Sequence, residues 1–378
     1  MLCILTLVLL RWAAGGFSWY HFVVIGETHV QSKTLADQLT NPSEFGYDGQ
    51  FFYQYALTPF STDTTGQEIR VDSPPYRQQR IVYPVLAWFV AGGQAGGVPF
   101  TLVLVNVLAF CGLMAWMWRW QRLESWPPWI VVLPLLVPGL WMSLARDLSE
   151  LWEAFFVLAA MFAALRRNLW ALAIWTLLAT FSRETSAFFT APLLVAALWQ
   201  QYRIQRFRAA VWLPLLLAPY AIFYLYRKGL RSIYEGLPAG GGLENFGFPL
   251  VGWWQGLQAH FGDLSNATAW MEAGFWTMYM GWLFLLAFAL LVRYRELFVQ
   301  SRPEIRTFWI ACMVWLAVAA CFSHKIYEDD WSFVRVFSSF QLVALVLLFG
   351  VSRKIPRYLL WIGALVGCAT FVRLILRA

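Results

Sequence analysis

The chain has 378 residues, of which 60% are hydrophobic, 18% aromatic and only 13% charged, with a formal net charge of +7 and a mean hydropathy of +0.56. A soluble domain carries about a quarter charged residues, so this composition excludes a soluble enzyme and points to a polytopic membrane protein. The positive sign is what cytoplasmic loops contribute, and it calls for no nucleic-acid partner.

In chain order, the first apolar run covers roughly residues 2–25. It is too long for a signal-peptide core and lacks a small-x-small cleavage site, so it reads as a retained transmembrane helix. Arg11 interrupts it and must face protein or snorkel. A long outer loop follows, about 26–97, in which residues 81–91 are apolar but too short to cross and read as an interfacial helix. Further spans are expected at roughly 98–118, 128–145, 149–165, 168–182, 185–200, 209–226, 272–292, 307–322, 332–350 and 357–376, about eleven in all. The short pieces between 149 and 200 can tilt or re-enter. A second long outer loop covers about 227–271. The expected fold is an all-α transmembrane bundle forming one integral membrane domain over 1–378.

With the N-terminus in the cytoplasm, the connections at 119–127, 166–167, 201–208, 293–306 and 351–356 face inward. With Arg357 they hold 14 of the 28 basic residues and only three acids, Glu124, Glu296 and Glu304. The positive-inside rule supports this orientation, and the other 18 of the 21 acids then lie at the outer side. Cys3, Cys111, Cys312, Cys321 and Cys368 fall in or at the ends of spans, so no disulfide framework or metal motif is indicated.

The outer face collects the residues with chemistry. Asp48 lies in Gly46-Tyr47-Asp48-Gly49-Gln50-Phe51-Phe52-Tyr53. The glycines permit a tight backbone that presents the carboxylate, and the aromatic residues can stack on a sugar. Tyr47 and Gln50 are candidate substrate contacts. An Asx-turn inside an aromatic belt explains the composition equally well. Arg77 and Arg80, three apart, share a face if helical and can fork a phosphate; headgroup anchoring is the plainer alternative. Asp147 and Glu150 begin a span, where acids also serve as caps. Arg183-Glu184 can be a local ion pair, although Arg183 is favoured here as a ligand contact. Glu328, Asp329 and Asp330 offer oxygens to a divalent cation, but most acidic triplets are merely solvated. Arg335 sits about a turn inside a span, so it needs a partner: Asp329, Asp330 or an anionic substrate.

Taken as a set, Gly46-Tyr47-Asp48-Gly49-Gln50-Phe51-Phe52-Tyr53, Tyr76-Arg77-x-x-Arg80-Ile81-x-Tyr83-Pro84 and Arg183-Glu184-Thr185 resemble bacterial polytopic proteins of the glycosyltransferase C superfamily. The closest likeness is to cell-surface glycopolymer members related to the dolichyl-phosphate-mannose-type mannosyltransferases. The resemblance implies an inverting enzyme at the outer face of the bacterial inner membrane. It would move a sugar from a polyprenyl-phosphate donor to a glycan, lipid or protein acceptor. It implies that Asp48 is the general base, with Arg77, Arg80, Arg183 or Arg335 stabilising the phosphate. Many members carry two adjacent acids where this chain has Tyr47-Asp48-Gly49, and Asp147 is the candidate for the second. A cofactor is not required by this chemistry, though a divalent cation is compatible with it. The alternatives are a lipid-linked-glycan flippase or secondary transporter, and a non-catalytic envelope subunit.

Overall fold

The computed structural model describes residues 1–39, 43–204, 206–238, 240, 243–262, 264–328, 331–352 and 358–376. Among these the chain is all-helical, with only isolated β-bridges. Five helices are long and apolar enough to cross a membrane: Ala95–Glu124, Ala209–Ile233, Ala267–Val292, Pro303–Ala320 and Tyr358–Leu376. A sixth crossing is available if the pair Pro128–Leu136 and Pro138–Ala145, bent by 61°, acts as one span. Proline at 134 and 138 removes backbone donors at the bend, which accounts for the break. Helix also fills the remaining expected segments, in shorter pieces: Glu150–Leu165, Leu169–Ser182, Ala187–Ile204 and Ser338–Leu345.

The first segment differs from its expectation. Its helix stops at Ala14, and only Tyr20–Val23 resumes it. Thirteen residues reach ~20 Å, short of a ~30 Å hydrocarbon core. Gly16 and Phe17 take left-handed backbone, and Trp12 stacks on Trp19 as the chain doubles back. Arg11 then faces protein, donating to the carbonyls of His21 and Leu374, each at 3.1 Å. This answers the cost of a charge in an apolar helix.

The expected inner connections gather at one end. Arg302 pairs with Glu124 at 2.8 Å and Arg167 with Glu304 at 3.2 Å. Gln200 and Gln201 line the same recess as Arg167 and Glu304, and Ser352 donates to Glu296. Arg353, Lys354 and Arg357 lie outside the described residues.

The long outer loops have folded structure that their sequences did not announce. Gly49–Leu57 forms a helix whose polar residues tie the first loop together. Gln54 accepts from the Ile69 amide at 2.9 Å, Tyr53 donates to Glu68 at 2.7 Å, and Tyr55 donates to the Pro74 carbonyl. Pro74 and Pro75 open the short helix Pro74–Gln78, at the end where their missing amides cost nothing. The expected interfacial segment is the helix Val82–Val90. The second long loop is shortened, because its preceding helix runs on to Ile233. Tyr234 donates to Gln78 at 2.7 Å, joining the two loops. Within the second loop, Val251–Phe261 packs on His324–Glu328. Asn168 and Asn266 cap Leu169–Ser182 and Ala267–Val292 by accepting the amides of Ala171 and Ala269.

Candidate functional site

Two close backbone approaches place the site. A Cβ on Gly49 would lie 2.4 Å from the Arg146 carbonyl and 2.8 Å from that of Val23, so only glycine lets Gly49–Leu57 start there. A Cβ on Gly139 would lie 2.5 Å from the Val334 carbonyl, so Pro138–Ala145 lies directly on Ser332–Val336. The first contact sets Asp48 at the end of its helix, and the second sets Arg335 facing it.

Asp48 stands at the N-cap of Gly49–Leu57 but caps nothing with its side chain. Its two oxygens go to different arginines. Arg77 Nη1 donates to Oδ1 at 2.8 Å, and Arg335 Nη1 donates to Oδ2 at 2.5 Å. Arg77 is also held on its other edge by a second acid. Asp72 takes Arg77 Nε and Nη2 at 2.9 and 2.8 Å, a bidentate fork. Glu150 lies 3.8 Å from Arg335 Nε. Arg77 further rests on the Phe51 ring and Arg335 on the Tyr47 ring, with guanidinium carbons 4.2 and 5.0 Å from the centroids. The side chains of Asp48, Arg77 and Arg335 keep 15%, 16% and 12% of their surface exposed, so a ligand can reach all three.

Burial pushes the Asp48 carboxyl up, but Arg335, Arg77 and Arg80 outweigh it and hold the group far below the usual carboxylate range. In this arrangement Asp48 is a firmly ionised acceptor and a poor base.

The other expected residues divide differently from the sequence reading. Arg80 is buried, and its hydrogen bonds go to Glu184 and Tyr76 instead of Asp48. Its Nε and Nη2 fork Glu184 at 3.0 and 2.6 Å, and Nη2 also meets the Tyr76 hydroxyl. Arg77 and Arg80 therefore take different acids, and the helix ends at Gln78 before Arg80 is reached. Glu184 is the anchor of Arg80. Burial raises its carboxyl, but Arg80 more than reverses this, bringing it down to about 2. Arg183 is likewise buried and pairs with Glu150, which leaves Glu150 an internal partner. Gln50 is buried too. Its side-chain oxygen accepts from the Gly26 amide and its nitrogen donates to the Phe45 carbonyl, a structural role.

Asp147 is the clearest correction. It is fully buried, in left-handed backbone with φ +50, so it neither caps the following helix nor faces Asp48. Tyr83 donates to its Oδ1 at 3.3 Å, and Asn106 in turn donates to Tyr83. Its Oδ2 has no hydrogen-bond partner among the described residues. Burial pushes this carboxyl well above the ordinary range, past what Tyr83 and Arg11 can offset.

Tyr47 stays at the site, its ring shared by Arg146 and Arg335. Arg146 reaches from Tyr47 to Trp331, with its guanidinium 4.7 Å from the Trp331 centroid. Asp329 and Asp330 lie outside the described residues; Glu328 is exposed, with His324 4.0 Å away. Among the described residues no group of three His, Cys, Asp or Glu side chains is arranged to hold a metal.

Sequence reasoning missed Asp72. Its signal was available: an acid just before the Ser73-Pro74-Pro75 helix start, five residues from Arg77. Comparison of the chain with protein-family profiles, curated proteins and solved structures finds no match.

Proposed function

We propose that this chain is an inverting membrane glycosyltransferase that takes a sugar from a polyprenyl-phosphate donor and passes it to an envelope glycan, lipid or protein acceptor. The observation that carries this reading is one reachable carboxylate set between two anchored arginines, Arg77 and Arg335. Such a site combines what the reaction needs. A phosphate leaving group requires no general acid. It requires positive charge where the phosphate gains its second negative charge, and a base for the acceptor hydroxyl. Arg77 and Arg335 supply the first, and Asp48 the second. Tyr47 and Phe51 give the sugar aromatic faces to lie on.

The reading includes about eleven spans and a glycosyltransferase C-like architecture. Support comes from parity: the expected inner loops meet one another, and on the expected outer side Asp48 pairs with Arg77 and Arg335, Arg183 with Glu150, and Glu184 with Arg80. The active face is then periplasmic, at the bacterial inner membrane. No step requires a metal, and a divalent cation would be an addition to the arginines.

Purified protein, offered a panel of polyprenyl-phosphate sugars with membrane glycan acceptors, should release polyprenyl phosphate in step with acceptor glycosylation. Absence of release from every donor, with folded protein, would sink the transferase reading.

A further inference from the structure

We infer that Asp48 is the internal occupant of a phosphate cradle, and that a phosphate-bearing ligand displaces it from Arg77 and Arg335 before it acts as base. This rests on the transferase reading for the base step, while the displacement itself stands on the geometry of the pair.

A carboxylate and a phosphate both offer two anionic oxygens to a guanidinium N–H. Asp48 uses one such N–H from each arginine. Arg77 does not depend on Asp48 for its aim, because Asp72 keeps it forked. Arg335 lies against the Tyr47 ring, with Glu150 3.8 Å from its Nε. When Asp48 leaves, two preset Nη1 groups therefore remain, directed at the vacated position. Because all three side chains are partly exposed, a headgroup can arrive without the outer loops unfolding.

The exchange would order the reaction. With Asp48 held by both arginines, the acceptor hydroxyl has no base. Once the donor phosphodiester takes the arginines, Asp48 is released beside the anomeric carbon. The acceptor oxygen attacks that carbon as its proton passes to Asp48. The carbon–oxygen bond to phosphate breaks, and its electron pair leaves with the phosphate. The carrier phosphate goes from one negative charge to two as Asp48 goes from one to none, so charge near the arginines is conserved.

The test is binding by the full-length chain in lipid nanodiscs. The two probes are a short isoprenyl phosphate, for a membrane-borne ligand, and inorganic phosphate, for a soluble one. If Asp48 competes for the arginines, Asp48→Asn and Asp48→Ala should each bind a probe roughly tenfold tighter than wild type. Tightening confined to isoprenyl phosphate assigns the cradle to a lipid-linked ligand; tightening with both assigns it to phosphate in general, and either supports the exchange. Unchanged or weaker binding by the folded variants overturns it, as does failure of both probes to bind any form. A measurement on wild type removes dependence on variant folding: inorganic phosphate should increase carbodiimide modification of Asp48, read by mass spectrometry, and no increase counts against displacement. Tightening in the Asp48 variants, with no sugar transfer by wild type, would leave the exchange standing and sink only the transferase. Transfer without tightening would do the reverse.

Discussion

A guanidinium can grip a phosphate only through N–H groups that reach the ligand, and burial separates the arginines of this site on that ground. Arg77 and Arg335 are reachable; Arg80 and Arg183 are buried against Glu184 and Glu150. Arg77→Lys and Arg335→Lys should therefore weaken isoprenyl-phosphate binding by about tenfold or more, since lysine keeps the charge but cannot keep its present neighbours and aim a fixed N–H at the ligand as well. Arg80→Lys should instead lower the thermal midpoint while folded protein binds nearly as before. Equal binding losses at all three positions would return Arg80 to the ligand. Glu184 gives a pH-dependent test. Its folded pKa is depressed from 4.5 to about 2, so its stabilising contribution is present above about 4.5 and is lost as pH falls towards 2. Glu184→Gln should cost about 3 kcal/mol at neutral pH, the low end for breaking a buried pair. That difference should shrink to nothing by acid titration; a pH-independent gap would mean that Arg80 does not control Glu184. Asp147 is buried against Tyr83 and its carboxyl is raised by that burial, so on the transferase reading Asp147→Asn should keep transfer within a few fold. A loss of about a hundredfold or more would restore Asp147 as a second catalytic acid.

At the scale of elements, the site depends on where one short helix begins. Gly49–Leu57 meets the carbonyls of Arg146 and Val23 through a bare Cα, and any Cβ there must push backbone. Gly49→Ala should cost about 1–3 kcal/mol and draw Asp48 away from Arg335, reducing transfer without weakening donor binding. Normal turnover in Gly49→Ala protein would show that this approach is slack. The same helix explains why the first outer loop was illegible as structure. Its polar residues, Gln50, Tyr53, Gln54 and Tyr55, bond to chain segments up to two dozen residues away. Local pattern does not contain those partners. The first span was misjudged in length for a related reason. Hydropathy continues past Gly15-Gly16, but the backbone turns there, and Trp12 on Trp19 holds the turn.

For the whole molecule, the proposed orientation sets the site and the basic connections on opposite faces, and labelling can check it. Thr64 lies exposed in the first outer loop, and Gln300 lies exposed among the expected inner connections. In a chain lacking its native cysteines, Thr64→Cys should react with an impermeant maleimide from the outer side, and Gln300→Cys only after the membrane is opened. Reversed labelling would turn the site to the cytoplasm and end the periplasmic reading.

Composition and hydropathy were enough to determine that this chain is helical and lives in a membrane, because the bilayer demands long apolar helices whatever their neighbours. Loop charges likewise separated the basic connections from the acid-rich ones. The sequence also singled out Asp48, Arg77 and Arg335, since charges beside apolar spans are costly enough to stand out. Which of them meet was decided only in three dimensions. Asp48 and Arg335 are 287 residues apart, and their contact depends on two glycine approaches between distant segments. Arg80, Arg183, Glu150 and Asp147 are no less conspicuous in sequence, yet packing turns each inward. Charge is a property of the residue, whereas burial and partner are properties of the fold.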